Sequence, residues 1–341
     1  MRGNDVQRAW RILVAVLAMA ALATGGAVAF ANGDHGGDAG EASDHTVAAE
    51  RLFMLQPDPA ANPEGIAVDE RSQAFFVSIT GDGAIYRGTL DSDKVTPFIP
   101  GAPGKAAVGI KVRDGKLYVA GGPTGEIVVY DLATKRALAT FATGSGGFLN
   151  DLVVTRDGDV FVTDSFRPTL WHVTADQVAA GGGTVQALDV SSGIPFQDGF
   201  NLNGIVAEGG RRLIVVQTNT GKLFRIDLAE HSSAIDAIQE IGGVSTPGGD
   251  GLLLDRGRLV VVQGGPPARL SLVDLFDGAR RGVIADTLTS LGLNGPSTVA
   301  RADGFYLVVN ADFANSVKPF LVVGLPRPGD HGDASADSAR R

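Results

Sequence analysis

The hydrophobic positions of this chain fall in short runs, and the runs keep a rhythm. "PEGIAVDERSQAFFVSITGDGAIYRGTL" from Pro63 holds three of them, parted by a polar turn and then by a Gly-rich loop. The same order returns in "AVGIKVRDGKLYVAGGPTGEIVVYDL" from Ala107 and in "FLNDLVVTRDGDVFVTDS" from Phe148. It returns again in "NLNGIVAEGGRRLIVVQTNTGKLFRIDL" from Asn201, "GGDGLLLDRGRLVVVQGGPPARLSLVDL" from Gly248 and "NGPSTVARADGFYLVVNADF" from Asn294. Each phrase predicts strand, tight turn, strand, short loop, strand. Asp114-Gly115, Asp157-Gly158, Gly209-Gly210 and Asp303-Gly304 supply the positive φ angles that such turns need.

A fourth apolar run follows most triplets, as in "VTPFIP", "ALATFAT", "TVQALDV" and "RGVIAD". From Gly65 to Ser297 the phrase repeats at a spacing of about 46 residues, the period of a four-stranded propeller blade. The fold expected is all-β, a six-bladed β-propeller with four-stranded blades. The sixth phrase lacks a fourth strand, while "RLFMLQ", Arg51 to Gln56, precedes the first and is unassigned. That N-terminal strand is expected to close the ring by completing blade six, which removes an open sheet edge.

Composition agrees with many short strands: 47 glycines in 341 residues, and apolar content dominated by Val, Leu, Ala and Ile. A net charge of -9 without a basic run argues against nucleic acid, whose phosphates need clustered Lys and Arg. The chain has no cysteine, so neither disulfides nor a lipid-bearing cysteine anchors it.

Arg2, Arg8 and Arg11 precede an uncharged stretch from Ile12 to Ala31 that ends Ala29-Phe30-Ala31. This is the layout of an export signal with an A-x-A cleavage site. An uncleaved membrane anchor is the rival reading, since about 20 apolar residues can span a bilayer; the small residues at the end favour cleavage. The expected organisation is a signal peptide over 1–31, a polar linker over 32–47, the propeller over 48–326 and a polar tail over 327–341. After cleavage the protein is expected to be secreted, a monomer, without a stable membrane span.

In a propeller the innermost strands run the same way along the central tunnel, so positions just before them make a ring at one mouth. Aligning the phrases on their turns places Glu64, Val108, Asn150, Asn203, Asp250 and Pro296 there. Asn and Asp before a strand often act as turn or cap residues. Four oxygen-bearing side chains in one column point instead to a shared ligand. Two carboxylates and two amides in one small space call for a hard divalent cation, and all-oxygen ligation suits calcium.

"PEGIAV", "FLNDLVVTRDGDVFVTD", "NLNGIVAEGGRRLIVVQTNTGKLFRID" and "GGDGLLLDRGRLVVVQ" resemble the signature stretches of the senescence marker protein/gluconolactonase (regucalcin-like) family. The resemblance covers roughly Pro63 to Phe313 and implies a six-bladed propeller with a divalent metal in its tunnel. It implies Glu64, Asn150, Asn203 and Asp250 as metal ligands, Asp250 as the catalytic base and Asn150 as a substrate-side residue. Sugar-lactonase members carry an arginine two residues before the blade-three asparagine; here that position is Phe148. An apolar ring in place of a charged fork moves the expected substrate away from sugar-acid lactones. Phe200 stands near the same mouth, and both rings can equally serve blade packing.

No G-x-S-x-G elbow and no zinc-type histidine spacing occurs, and His172 in "TLWHV" is expected to be structural. The expected function is metal-dependent hydrolysis of a lactone or ester, with a non-enzymatic binding scaffold holding a structural metal as the alternative. Asp255, in the blade-five hairpin, is expected to tolerate Asn with activity nearly unchanged.

Overall fold

Strand β3 (Ala74–Ile79), "AFFVSI", is buried at every position. Phe75 and Val77 pack to one side of it and Phe76 to the other. A strand with both faces covered reads as an unbroken apolar run, which is why alternation is weak in the middle of each phrase. A computed structural model describes residues 49–57, 61–230 and 233–328 of the chain. The expected signal peptide, the linker and most of the tail lie outside the described residues.

Blade one consists of β2 (Pro63–Asp69), β3, β4 (Ile85–Thr89) and β5 (Thr96–Ile99). Blade two holds β6 (Ile110–Arg113), β7 (Lys116–Ala120), β8 (Glu126–Asp131) and β9 (Ala137–Ala142). In blade three, β10 (Leu149–Val154), β11 (Val160–Asp164) and β12 (Thr169–Val173) lead through a short helix α1 (Ala175–Ala180) to β13 (Gln186–Asp189). Blade four is β14 (Leu202–Glu208), β15 (Arg212–Gln217), β16 (Lys222–Leu228) and β17 (Ile235–Glu240). Blade five is β18 (Gly249–Asp255), β19 (Arg258–Gln263), β20 (Arg269–Phe276) and β21 (Arg281–Leu288). β22 (Pro296–Ala302), β23 (Phe305–Asn310) and β24 (Phe320–Pro326) begin blade six, and β1 (Arg51–Leu55) completes it.

The closing strand lies where the sequence places it. β1 runs antiparallel to β24, with Arg51 opposite Gly324 and Leu55 opposite Phe320. Phe53 and Leu55 turn inward, while Leu52 and Met54 stay exposed. Each pair of neighbouring blades shares one apolar core, and the cores form a closed circuit. The one helix among the described residues was not expected from periodicity. Thr174 and Gln177 cap its first turn reciprocally, so "TADQ" was its signature.

Two side chains behave otherwise than the sequence implies or bear it out. Asp255 is buried and accepts hydrogen bonds from Tyr306 Oη at 3.0 Å and Arg327 Nε at 3.1 Å, with Arg301 Nη1 at 3.4 Å. It is a latch between blades five and six rather than a neutral turn residue. His172 is structural: it stacks on Phe161 and bonds Asp159 and Gln186 through its two ring nitrogens.

Candidate metal centre

A one-residue backbone device repeats at the start of the inner strands. Pro63 pairs with Ile79 and Ile66 with Val77, so Glu64-Gly65 together face Ser78. The same two-against-one bulge holds Asn150-Asp151 in β10, Asn203-Gly204 in β14, Asp250-Gly251 in β18 and Ser297-Thr298 in β22. A bulge bends the strand and re-aims the side chain at its first position. Glu64, Asn150, Asn203 and Asp250 therefore occupy equivalent places, as the alignment requires. Blade six is the exception: the register of β22 with β23 makes Ser297, one residue past Pro296, its ring position. Blade two supplies Val108, just before β6.

The residue after the ring position is Gly wherever the next blade crowds in. A Cβ on Gly65 would stand 2.3 Å from the Val108 carbonyl oxygen, and one on Gly204 would stand 2.4 Å from that of Asp250. Hydroxyls stitch the inner strands together at this level. Ser165 Oγ donates to the Leu202 carbonyl at 2.6 Å, Thr218 Oγ1 to that of Gly249 at 2.8 Å, and Ser297 Oγ to that of Glu64 at 2.7 Å. The first two hydroxyls also accept from the ring amides: Asn150 Nδ2 reaches Ser165 at 2.9 Å, and Asn203 Nδ2 reaches Thr218 at 3.1 Å. Each amide nitrogen is thus held by a hydroxyl of its own blade, and the Asn203 amide also hydrogen-bonds Asp250.

The carboxylates are under strong electrostatic load. Burial pushes Glu64 well above the usual carboxylate range, and the charges of Asp250 and Asp151 push it further, against the pull of Lys111 and Thr298. Asp250 is pushed up to about 8, by burial first and by Asp151, with an Asn203 hydrogen bond pulling the other way. Surface area leaves Asp250 only half-buried, since it opens on the tunnel. The protein atoms packed around it still weaken its hydration enough to raise its pKa. Glu64 Oε2 is buried with no hydrogen-bond partner, a costly state for a charged oxygen. Among the described residues no three carboxylates or imidazoles form a metal site by themselves. A cation here draws on the amides, and the donor set of two carboxylates and two amide oxygens fits a hard divalent ion.

Two residues that the sequence reading left unassigned belong to this centre. Asp151 fills the position that is glycine in blades one, two, four and five. Its Oδ1 accepts from Lys111 Nζ at 2.7 Å and from Leu152 N at 2.8 Å, and its Oδ2 meets Ile205 N at 3.4 Å. The break in the glycine column was a visible signal; its lysine partner, on another blade, was not.

Above the ring sits a separate apolar cluster of Val108, Phe148 and Phe200, with Phe313 against it. Phe148 is buried here, with Phe200 at 5.3 Å and Phe166 at 5.7 Å between ring centroids. It packs over the tunnel mouth instead of in a core between blades. The loops that carry these rings are each fixed by a buried polar hub. Asp164 accepts from the backbone N–H groups of Phe148, Phe166 and Arg167 and from Trp171 Nε1. Asn201 Oδ1 accepts from Gln197 N, Gln217 Nε2 and Asn219 Nδ2. Asp312 holds Asn315 and Val317 beside Phe313. Phe313, from blade six, packs against this cluster of residues from blades two, three and four. A cavity of about 440 Å³ opens on the opposite face beside Asp157, Asp159 and Arg211, and no ring residue lines it.

The molecule is thus a six-bladed β-propeller with an oxygen-lined tunnel mouth under an aromatic roof. No family model matches the sequence, and no curated protein matches it. Solved structures do share its fold. Luciferin-regenerating enzyme superposes with a TM-score of 0.59 at 15% identity, over 82% of this chain and 96% of its own. Regucalcin from Agrobacterium tumefaciens, described as a calcium-binding protein, gives 0.59 at 17%, over 80% and 92%. Virginiamycin B lyase from Staphylococcus aureus gives 0.57 at 13%, over 83% and 90%. At such identities the likeness is one of fold.

Proposed function

We propose that the protein is a metal-dependent hydrolase of lactones or esters, with calcium held by Glu64, Asn150, Asn203 and Asp250. The observation that carries this reading is the unpartnered, buried Glu64 Oε2 beside a second carboxylate and two amides pinned through their nitrogens. A cation bound there supplies positive charge to polarise the substrate carbonyl. Asp250 takes a proton from the attacking water as the water oxygen bonds to the carbonyl carbon. The bond to the leaving oxygen then breaks, and that oxygen recovers the proton from Asp250. Asn150, fixed by Ser165, orients the carbonyl, and Phe148, Phe200 and Phe313 cover the apolar part of the substrate and keep bulk water out.

A second reading is a binding scaffold with a structural metal, favoured by the apolar packing of Phe313 on Phe148, Phe200 and Val108 where sugar-lactonase members carry an arginine. Assays against aryl esters, alkyl and aryl lactones, aldonolactones and phosphotriesters, with calcium or EDTA, separate the two. Calcium-dependent turnover that favours aryl or alkyl substrates over aldonolactones is expected. A silent panel alongside tight calcium binding selects the scaffold, and selective aldonolactone hydrolysis overturns the role given to Phe148. We also propose that the mature protein is a monomer and, on the strength of its basic start, apolar stretch and A-x-A site, that it lies outside the cytoplasm. The mass of the exported chain, expected to begin at Asn32, checks this.

A further inference from the structure

We propose that the Lys111–Asp151 pair sets the tunnel's charge so that the ring selects a cation of charge two. The inference rests on the reading of the ring as a cation site. Blade two gives the ring no oxygen, since Val108 stands there, but it gives the tunnel a cation. Lys111 Nζ lies 2.7 Å from Asp151, with 24% and 4% of the two side chains exposed. The charges that bear on Glu64 are Asp250, Asp151 and Lys111. Three carboxylates against one ammonium leave two negative charges, the complement of one divalent ion.

The pair is no ordinary inter-blade bridge. Blades one, two, four and five keep glycine at the Asp151 position, where a Cβ on Gly65, Gly109, Gly204 or Gly251 would strike neighbouring protein atoms, and blade six has the uncharged Thr298. Blade three alone places a charged side chain here, Asp151. It is buried and held by two backbone N–H groups besides the lysine, which fixes the charge next to the ring. Coulomb attraction between fixed charges a few ångströms apart, at the effective dielectric of a protein interior, makes one unit of charge worth about tenfold or more in ion affinity.

Calorimetric titration of the purified protein with calcium and with terbium(III), a hard trivalent ion for oxygen donors, tests this. Lys111→Met removes the ammonium with little change in length and should raise the terbium-to-calcium affinity ratio by about tenfold. The double variant Lys111→Met, Asp151→Asn removes both charges, leaves no buried lone ion and should return the ratio to that of the wild type. Asp151→Asn alone should lower it. A lysine that only props Asp151 in place would change both affinities together, so an unchanged ratio in Lys111→Met with calcium binding intact overturns the inference and spares the metal site. Wild-type protein that binds neither ion overturns both. Should Lys111→Met fail to fold, an Asp151→Asn ratio equal to that of the wild type is equally fatal.

Discussion

In the proposed hydrolase Asp250 joins two demands that conflict without a cation: it must be charged to act as base, yet it is confined among protein atoms beside Asp151 and Glu64. Asp250→Asn keeps an oxygen ligand and removes the basic site, so turnover at saturating calcium should fall by about a hundredfold or more. Asp255→Asn is a poor control, because it breaks a buried latch; the exposed Asp91→Asn serves instead. Titration gives a second test. A carboxyl whose folded pKa is raised keeps a proton that the unfolded chain has released, so stability falls as pH rises between the two values. For Asp250 that window runs from the usual carboxylate range up to about 8, and Glu64 acts in the same direction. Metal-free protein should therefore melt several degrees lower at pH 8.5 than at pH 5, and excess calcium should flatten or reverse the trend. A metal-free melt that rises with pH would remove the case for two loaded carboxylates. Sequence gave access to the four ring oxygens because they recur in register with the turns. It hid Lys111, whose partner lies on the next blade, and Phe313, which meets the roof from across the ring.

At the level of strands, the bulge decides which residue enters the tunnel, and the closing strand decides whether there is a tunnel. Blade identity, turn chemistry and the role of β1 were legible, because short apolar runs and glycine pairs are local properties. The offset from Pro296 to Ser297 was not, since the register of β22 against β23, and not the residue types around it, decides which residue faces the tunnel. In β1, Phe53 is buried edge-on to Phe75 at 5.0 Å. Phe53→Ala should cost about 3–5 kcal/mol, the usual loss for a buried aromatic ring. Denaturant titration measures it. Leu52→Ala, on the exposed face of the same strand, should cost almost nothing. Equal losses at both positions would mean that β1 is not seated as described.

Across the whole molecule, six shared cores make a closed circuit, and each inner strand packs on the inner strands of its two neighbours around the tunnel. A cation held there touches blades one, three, four and five at once. Calcium at a hundredfold excess over its Kd should stabilise the native state by about 2.7 kcal/mol. Chelation should lower the melting temperature and calcium restore it; a melt indifferent to both would end the proposal of a shared site.

Closure also fixes how the fold bears load. The first residue of β1 lies opposite Gly324, near the end of β24, so the two ends of the propeller chain leave from the same end of one strand pair. Tension between them is applied across the pair, not along it. Hydrogen bonds between β1 and β24 then open one after another, like a zip, and never share the load as they do in shear. The circle that resists heat as a unit should come apart at low force from this one seam. In single-molecule stretching from residues 51 and 327, an early, shallow release of β1 should precede the rupture of the remaining blades.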